Sequence, residues 1–218
     1  MKYRWLIFGF AGLYILAAAF GIFMKENYTN VTEQENWQQN FNVAQLPEEL
    51  AASEAETLPE ILAGQPFILR VSPLEEREYI FNGSRQKVEI RQVYSGEGVD
   101  AGDEIFLISQ GWSLTFSQPQ SIECNFVHPM VPGKEYLVFL SGKAKNLDGA
   151  DNIYRVYDES FISPVFSYDT YENVTAPVKG ESTYVPYESV KNNEFFGCTE
   201  KTLESMEALK KMVLGMYS

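Results

Sequence analysis

Cysteine and histidine are nearly missing from this 218-residue chain, which has two of the first, Cys124 and Cys198, and one of the second, His128. That scarcity excludes a disulfide-dense scaffold and leaves too few soft ligands for a structural zinc site, which generally takes four. His128 is the only imidazole available for acid–base work, and no G-x-S-x-G or comparable strained turn offers it a serine. Basic residues are short as well: 17 Lys and Arg stand against 30 Asp and Glu, a formal net charge of −13. Nucleic acid is thereby excluded as a partner, because phosphate binding depends on clustered Lys and Arg. No internal repeat or low-complexity tract is evident.

Apolar side chains make up 45% of the chain and aromatic ones 14%, enough to bury one core. Residues 5–24, WLIFGFAGLYILAAAFGIFM, form an uncharged run of about the 20 residues that a membrane-spanning helix needs. Lys2 and Arg4 precede it and an acidic segment follows, so residues 1–24 are expected to be a signal-anchor. The N terminus would then lie in the cytoplasm, with the remaining chain outside a cell membrane. A cleavable signal peptide ending near Ala17, Ala18 and Ala19 is the alternative, and would give a secreted protein. Residues 25–56 are polar and acid-rich and read as a tether. The folded domain is expected over 57–218, opening on a short helix at 58–63 behind the capping-box pattern Thr57-Leu58-Pro59-Glu60.

Five strand signals follow, at 67–71, 79–94, 105–108, 136–140 and 153–162. Asn82-Gly83 predicts a tight hairpin turn, and a slip in apolar phase at Val93 predicts a bulge near Gln92. Residues 164–197 are rich in Tyr and Pro without clean periodicity and are expected to wrap over the strands. Thr199 is placed to cap a helix in which Leu203, Met206, Leu209, Val213 and Met216 share a face. Five strands that must bury one face, sealed by a final helix, predict a mainly β fold: a closed OB-like Greek-key barrel.

Three segments, LAGQPFILRV at 62–71, VEIRQVYSGEGVDAGDEIFL at 88–107 and VPGKEYLVFL at 131–140, carry a resemblance. They resemble bacterial extracytoplasmic proteins with an OB-like barrel, related to the netrin module and the tissue inhibitors of metalloproteinases. The resemblance covers roughly residues 57–166 and implies a fold more than an activity. Those inhibitors chelate a protease metal through an N-terminal cysteine, whereas this chain has no cysteine before Cys124.

Cys124 and Cys198 are expected to pair outside the cytoplasm, closing a long loop for about 4 kcal/mol, with buried free thiols as the alternative. Cys124-x-x-x-His128 is too sparse for a metal, and His128-Pro129 reads as an ordinary loop. The oxygen-rich segment NLDGADN at 146–152 reads as solvated turns before it reads as a calcium loop. No catalytic, cofactor or metal set is expected. Trp112, Phe116 and Phe126, large rings in an otherwise polar connection, are the candidate interaction surface, with plugging of one barrel end as the competing role. The function expected from sequence is therefore a membrane-anchored, non-catalytic binding module for an envelope protein or polymer. The alternative is an envelope enzyme or protease inhibitor acting on proteins or cell-wall polymers.

Overall fold

A computed structural model describes residues 2–26, 30–80, 83–144, 152–178 and 182–217. The chain divides into two compact units, Met1–Trp37 and Gln38–Ser218. In the first, helix α1 spans Lys2–Glu26 and leaves Phe8, Phe10, Leu13, Leu16, Phe20 and Phe23 exposed. The expected membrane anchor is corrected here: among the described residues, no helix is long and apolar enough to cross a membrane. The single-pass topology, the cell-membrane localisation and the membrane as a partner are withdrawn with it.

The second unit contains β1 (Asn42–Ala44), α2 (Glu48–Ala63), β2 (Phe67–Pro73), β3 (Glu78–Ile80), β4 (Gly83–Ser95), β5 (Glu104–Ser109) and β6 (Ser113–Thr115). It continues through β7 (Ser121–Glu123), β8 (Tyr136–Lys143), β9 (Ile153–Val156), β10 (Val165–Ser167), β11 (Tyr184–Pro186) and α3 (Glu200–Met216). Strand β8 pairs with β2, β2 with β4, β4 with β5, β5 with β9, and β9 returns to β8. Strands at the five expected places therefore close a barrel, the fifth ending at Val156 short of the expected 162, in which the third and fifth run parallel and the other neighbours antiparallel, the Greek-key ring of the OB type. Closure leaves no long unpaired edge. Along β4 the buried residues Val88 and Ile90 alternate with the more accessible Lys87 and Glu89. Strands β2 and β8 are buried on both faces, because α2 and α3 cover the face that carries Ile68, Leu137 and Phe139.

Between β2 and β4 the register shifts twice: Ile68 and Leu69 face Ser95 and Val93, and Arg70 and Val71 face Gln92 and Ile90. The extra residues are Tyr94 and Arg91, on either side of the expected bulge position, and they bend the strand where the barrel must curve. Gly96 ends the bend at φ +136°, where a Cβ would stand 2.5 Å from the Phe67 ring.

Residues 38–56 are part of the folded unit instead of a tether. Phe41, Val43 and Leu46 are buried, and β1 joins a second sheet in the order β11-β1-β7-β6. The helix expected at 58–63 is the last third of α2, with Thr57 inside it donating its hydroxyl to Ser53 O. Ala51, Leu58 and Leu62 give α2 a buried stripe at helical spacing, and Glu48 and Glu49 suit its N-terminal end, so it starts ten residues earlier than the capping pattern suggests. Thr199 caps α3 as expected, accepting from Thr202 N, and Leu203, Met206, Leu209 and Val213 are buried. Met216, expected on the same face, is exposed, while Leu214 and Tyr217 on either side of it pack against the core.

Candidate functional site

The Tyr- and Pro-rich stretch after the barrel has few sheet partners, so side chains satisfy its backbone. Asn173 Oδ1 accepts from the N–H groups of Glu194 (2.7 Å) and Phe195 (3.1 Å). Asn193 accepts from Val174 N at 3.1 Å and donates to Val174 O at 2.6 Å and Phe195 O at 3.1 Å. These two amides imitate a strand pairing and hold residues 168–174 against 193–195. At the end of β10, Ser167 Oγ accepts from Asp169 N at 3.1 Å and turns the chain toward α3.

The turn opens a cleft of about 430 Å³ between residues 168–173 and α3. Its aromatic and aliphatic wall is Tyr168, Tyr171 and Leu214. Its polar groups are held in place. Glu194, 4% exposed at its side chain, accepts from Ser167 N at 2.8 Å and from Lys210 Nζ. Lys210 Nζ also donates to Asp169 O at 2.6 Å. Lys134 donates to Tyr171 Oη and pairs with Asp169 Oδ2, both at 3.1 Å, and lies 4.5 Å from the Tyr171 ring centroid. Asn173 Nδ2 donates to Glu207 Oε1 at 2.8 Å. Burial raises the Glu194 carboxyl above the usual range, with Lys210 and the Ser167 N–H pulling against it. The hydrogen bond to Tyr171 raises the Lys134 amine, and burial raises the Tyr168 phenol.

None of the residues singled out in the sequence lines this cleft. Trp112 is 2% exposed and lies in the interior, with the Arg77 guanidinium 3.7 Å from its ring centroid and its Nε1 donating to Ser163 Oγ at 3.1 Å. Phe126 is partly buried against the helix-covered core, and Phe116 is exposed with its ring edge-on to Phe41 at 5.8 Å. The three rings therefore share no one surface. Arg77 is buried, with Nε and Nη1 lacking hydrogen-bond partners, and burial lowers its pKa while Tyr79 and Cys124 raise it. Stacking on Trp112 takes the place of an acid there.

Cys124 and Cys198 are free thiols in separate surroundings. Burial pushes Cys124 up to about 12, and Cys198 Sγ lies 3.4 Å from Gln45 O. His128 Nδ1 lies 2.7 Å from Pro129 O, which can only accept, so Nδ1 carries the proton and Nε2 accepts from Tyr187 Oη at 2.9 Å. Both ring nitrogens are thus committed to partners within the fold. Among the described residues no group of three or more His, Cys, Asp or Glu is placed to hold a metal ion. The calcium-loop segment 146–151 lies outside the described residues.

The cleft residues had a faint signature in the sequence, the alternation Tyr168-Asp169-Thr170-Tyr171-Glu172-Asn173 of aromatic with polar groups. Glu194 and Lys210 had none beyond their charge. Comparison with models of protein families gives no match, and comparison with curated proteins gives none that is significant.

Proposed function

We propose that the barrel domain is a binding module for a small, uncharged, hydroxyl-rich ligand of the saccharide type, held without chemistry in the cleft between residues 168–173 and α3. The observation that carries this is the balance of charge. In a chain of net charge −13, Asp169, Glu194 and Glu207 line the cleft together with Lys210 and Lys211, and Lys134, outside the lining, neutralises Asp169. A neutral site with fixed donors and acceptors beside Tyr and Leu surface suits a ligand with hydroxyls on its rim and C–H groups on its faces. The one cleft acid whose pKa burial raises, Glu194, has both oxygens committed and its side chain 4% exposed, so it is not free to exchange a proton with a ligand. Binding to a polymer of such units keeps the ligand class named in the sequence's second hypothesis and leaves out its enzymatic half. The resemblance to netrin-related barrels agrees with a binding role and supplies no residue of this cleft.

The test is calorimetric titration of the full chain with short oligomers of N-acetylglucosamine and of glucose, alongside E207Q and K211M. Saturable heat with at least one series is expected, weakened about fivefold or more in either variant, since one polar contact contributes about 1 kcal/mol. Absence of saturable binding to both series would remove the proposal.

A further inference from the structure

Tyr168, on the wall of the cleft, is gripped by residues that lie outside the cleft lining. Its N–H donates to Glu135 O at 3.0 Å, just before β8. Arg70 of β2 places its guanidinium 4.3 Å from the Tyr168 ring centroid, and its Nε is fixed by Glu135 Oε2 at 2.8 Å. One glutamate thus holds both the backbone of Tyr168 and the cation that covers its ring.

The Tyr168 hydroxyl is held as well. Tyr168 Oη donates to Tyr217 O at 3.4 Å, at the C-terminal end of α3. A phenol has one proton, so at the 3.1 Å contact between the Tyr94 and Tyr168 hydroxyls Tyr94 is the donor. Tyr94 reaches this place as an extra residue of the bulged strand β4, since a bulge re-aims a side chain. Its ring is tilted against that of Tyr217 at 5.4 Å, and Tyr217 stands edge-on to the buried Phe139 at 5.7 Å. Two hydroxyls in series therefore connect the barrel, through the cleft wall, to the cap of α3.

We infer that Tyr94 is a positioning residue of the cleft: its hydroxyl fixes the Tyr168 ring, and with it the wall on which a ligand packs, before the ligand arrives. This rests on the saccharide-binding reading of the cleft and names the residue that preorganises it. Without the Tyr94 hydroxyl the ring has one tether fewer, and the ligand has to order it on binding. Ordering one such side chain lowers affinity about two- to tenfold.

The experiment is calorimetric titration of the full chain with oligomers of N-acetylglucosamine and of glucose, in the parent, Y94F, Y168F and the double variant. Relaxation of an isotope-labelled Tyr168 ring is measured in parallel without ligand. Y94F keeps the ring that packs on Tyr217 and loses only the donor. It is expected to bind about threefold more weakly than the parent, with a less favourable entropy and a more mobile Tyr168 ring. Its melting temperature should stay near that of the parent, because both tyrosines are half-buried and water replaces the lost bond. Since Tyr94 acts through the Tyr168 hydroxyl, Y94F in the Y168F background should cost no further affinity. Parent affinity in Y94F, or losses that add in full in the double variant, would overturn the positioning role and leave the ligand class in place. Failure of the parent to bind either series would remove the ligand class, and the positioning role with it.

Discussion

Glu194 and Lys210 form an ion pair that is almost wholly buried, with side chains 4% and 14% exposed. It ties the segment after the barrel to the middle of α3 and forms the floor of the larger cleft. Two charges removed from water hold each other in their ionised forms, and removing one strands the other.

Lys210→Met should therefore destabilise the domain by about 3–5 kcal/mol. Glu194→Gln should cost less, because its amide oxygen can still accept from Ser167 N. The double variant should recover part of the K210M loss. Urea unfolding of the three proteins checks this, and a K210M midpoint equal to that of the parent would show that the pair holds nothing together.

Burial holds the His128 imidazole down, to about 4 from 6.5. Between those values the unfolded chain takes up a proton that the folded chain refuses. The group's contribution is complete above pH 6.5 and is lost as pH falls toward 4, about 3 kcal/mol in all. In H128Q, urea stability should fall less steeply than in the parent between pH 7 and pH 5. Parallel curves would mean that the ring protonates in place.

Deleting residues 200–218 uncovers the core surface that Leu203, Met206, Leu209 and Val213 bury with Leu58, Leu62 and Phe139. Four such side chains contribute about 6 kcal/mol or more, comparable with the whole stability of a domain. The shortened chain should aggregate or lose its cooperative transition in scanning calorimetry, and an unchanged melting temperature would make α3 a separate appendage.

Native alkylation with iodoacetamide should label the half-buried Cys198 well before Cys124, whose thiol is buried and pushed up to about 12. In denaturant without reductant both should react, giving two adducts by mass. A fully unreactive denatured protein would show the pairing that the two positions suggest in sequence and lack in the structure.

The barrel strands were legible in the sequence because each is a local apolar run whose burial does not depend on which partner it meets. Phe67–Val71, Ile105–Ile108 and Tyr136–Leu140 all fall inside the strands they predict. The second sheet was not legible: β1, β6, β7 and β11 are three residues each, and β1 meets its partners across long separations, Val43 with Val185 for example. The polar neighbours of Trp112 left a surface anchor and a plug of the barrel end both open, and only its burial against Arg77 and Ser163 shows that it lies inside.

What the amino-acid sequence determined by itself is which segments must leave water: five strand cores, the stripe of α3 and its Thr199 cap, all set by side-chain period and local hydrogen bonding. The tertiary structure alone decided where charges meet. Glu194 beside Lys210 and Asp169 beside Lys134 are outcomes of chain segments brought together by barrel closure and the wrap that follows it. A charged side chain carries no periodic signal for its partner, since the attraction acts through space at a few ångströms and is indifferent to separation along the chain.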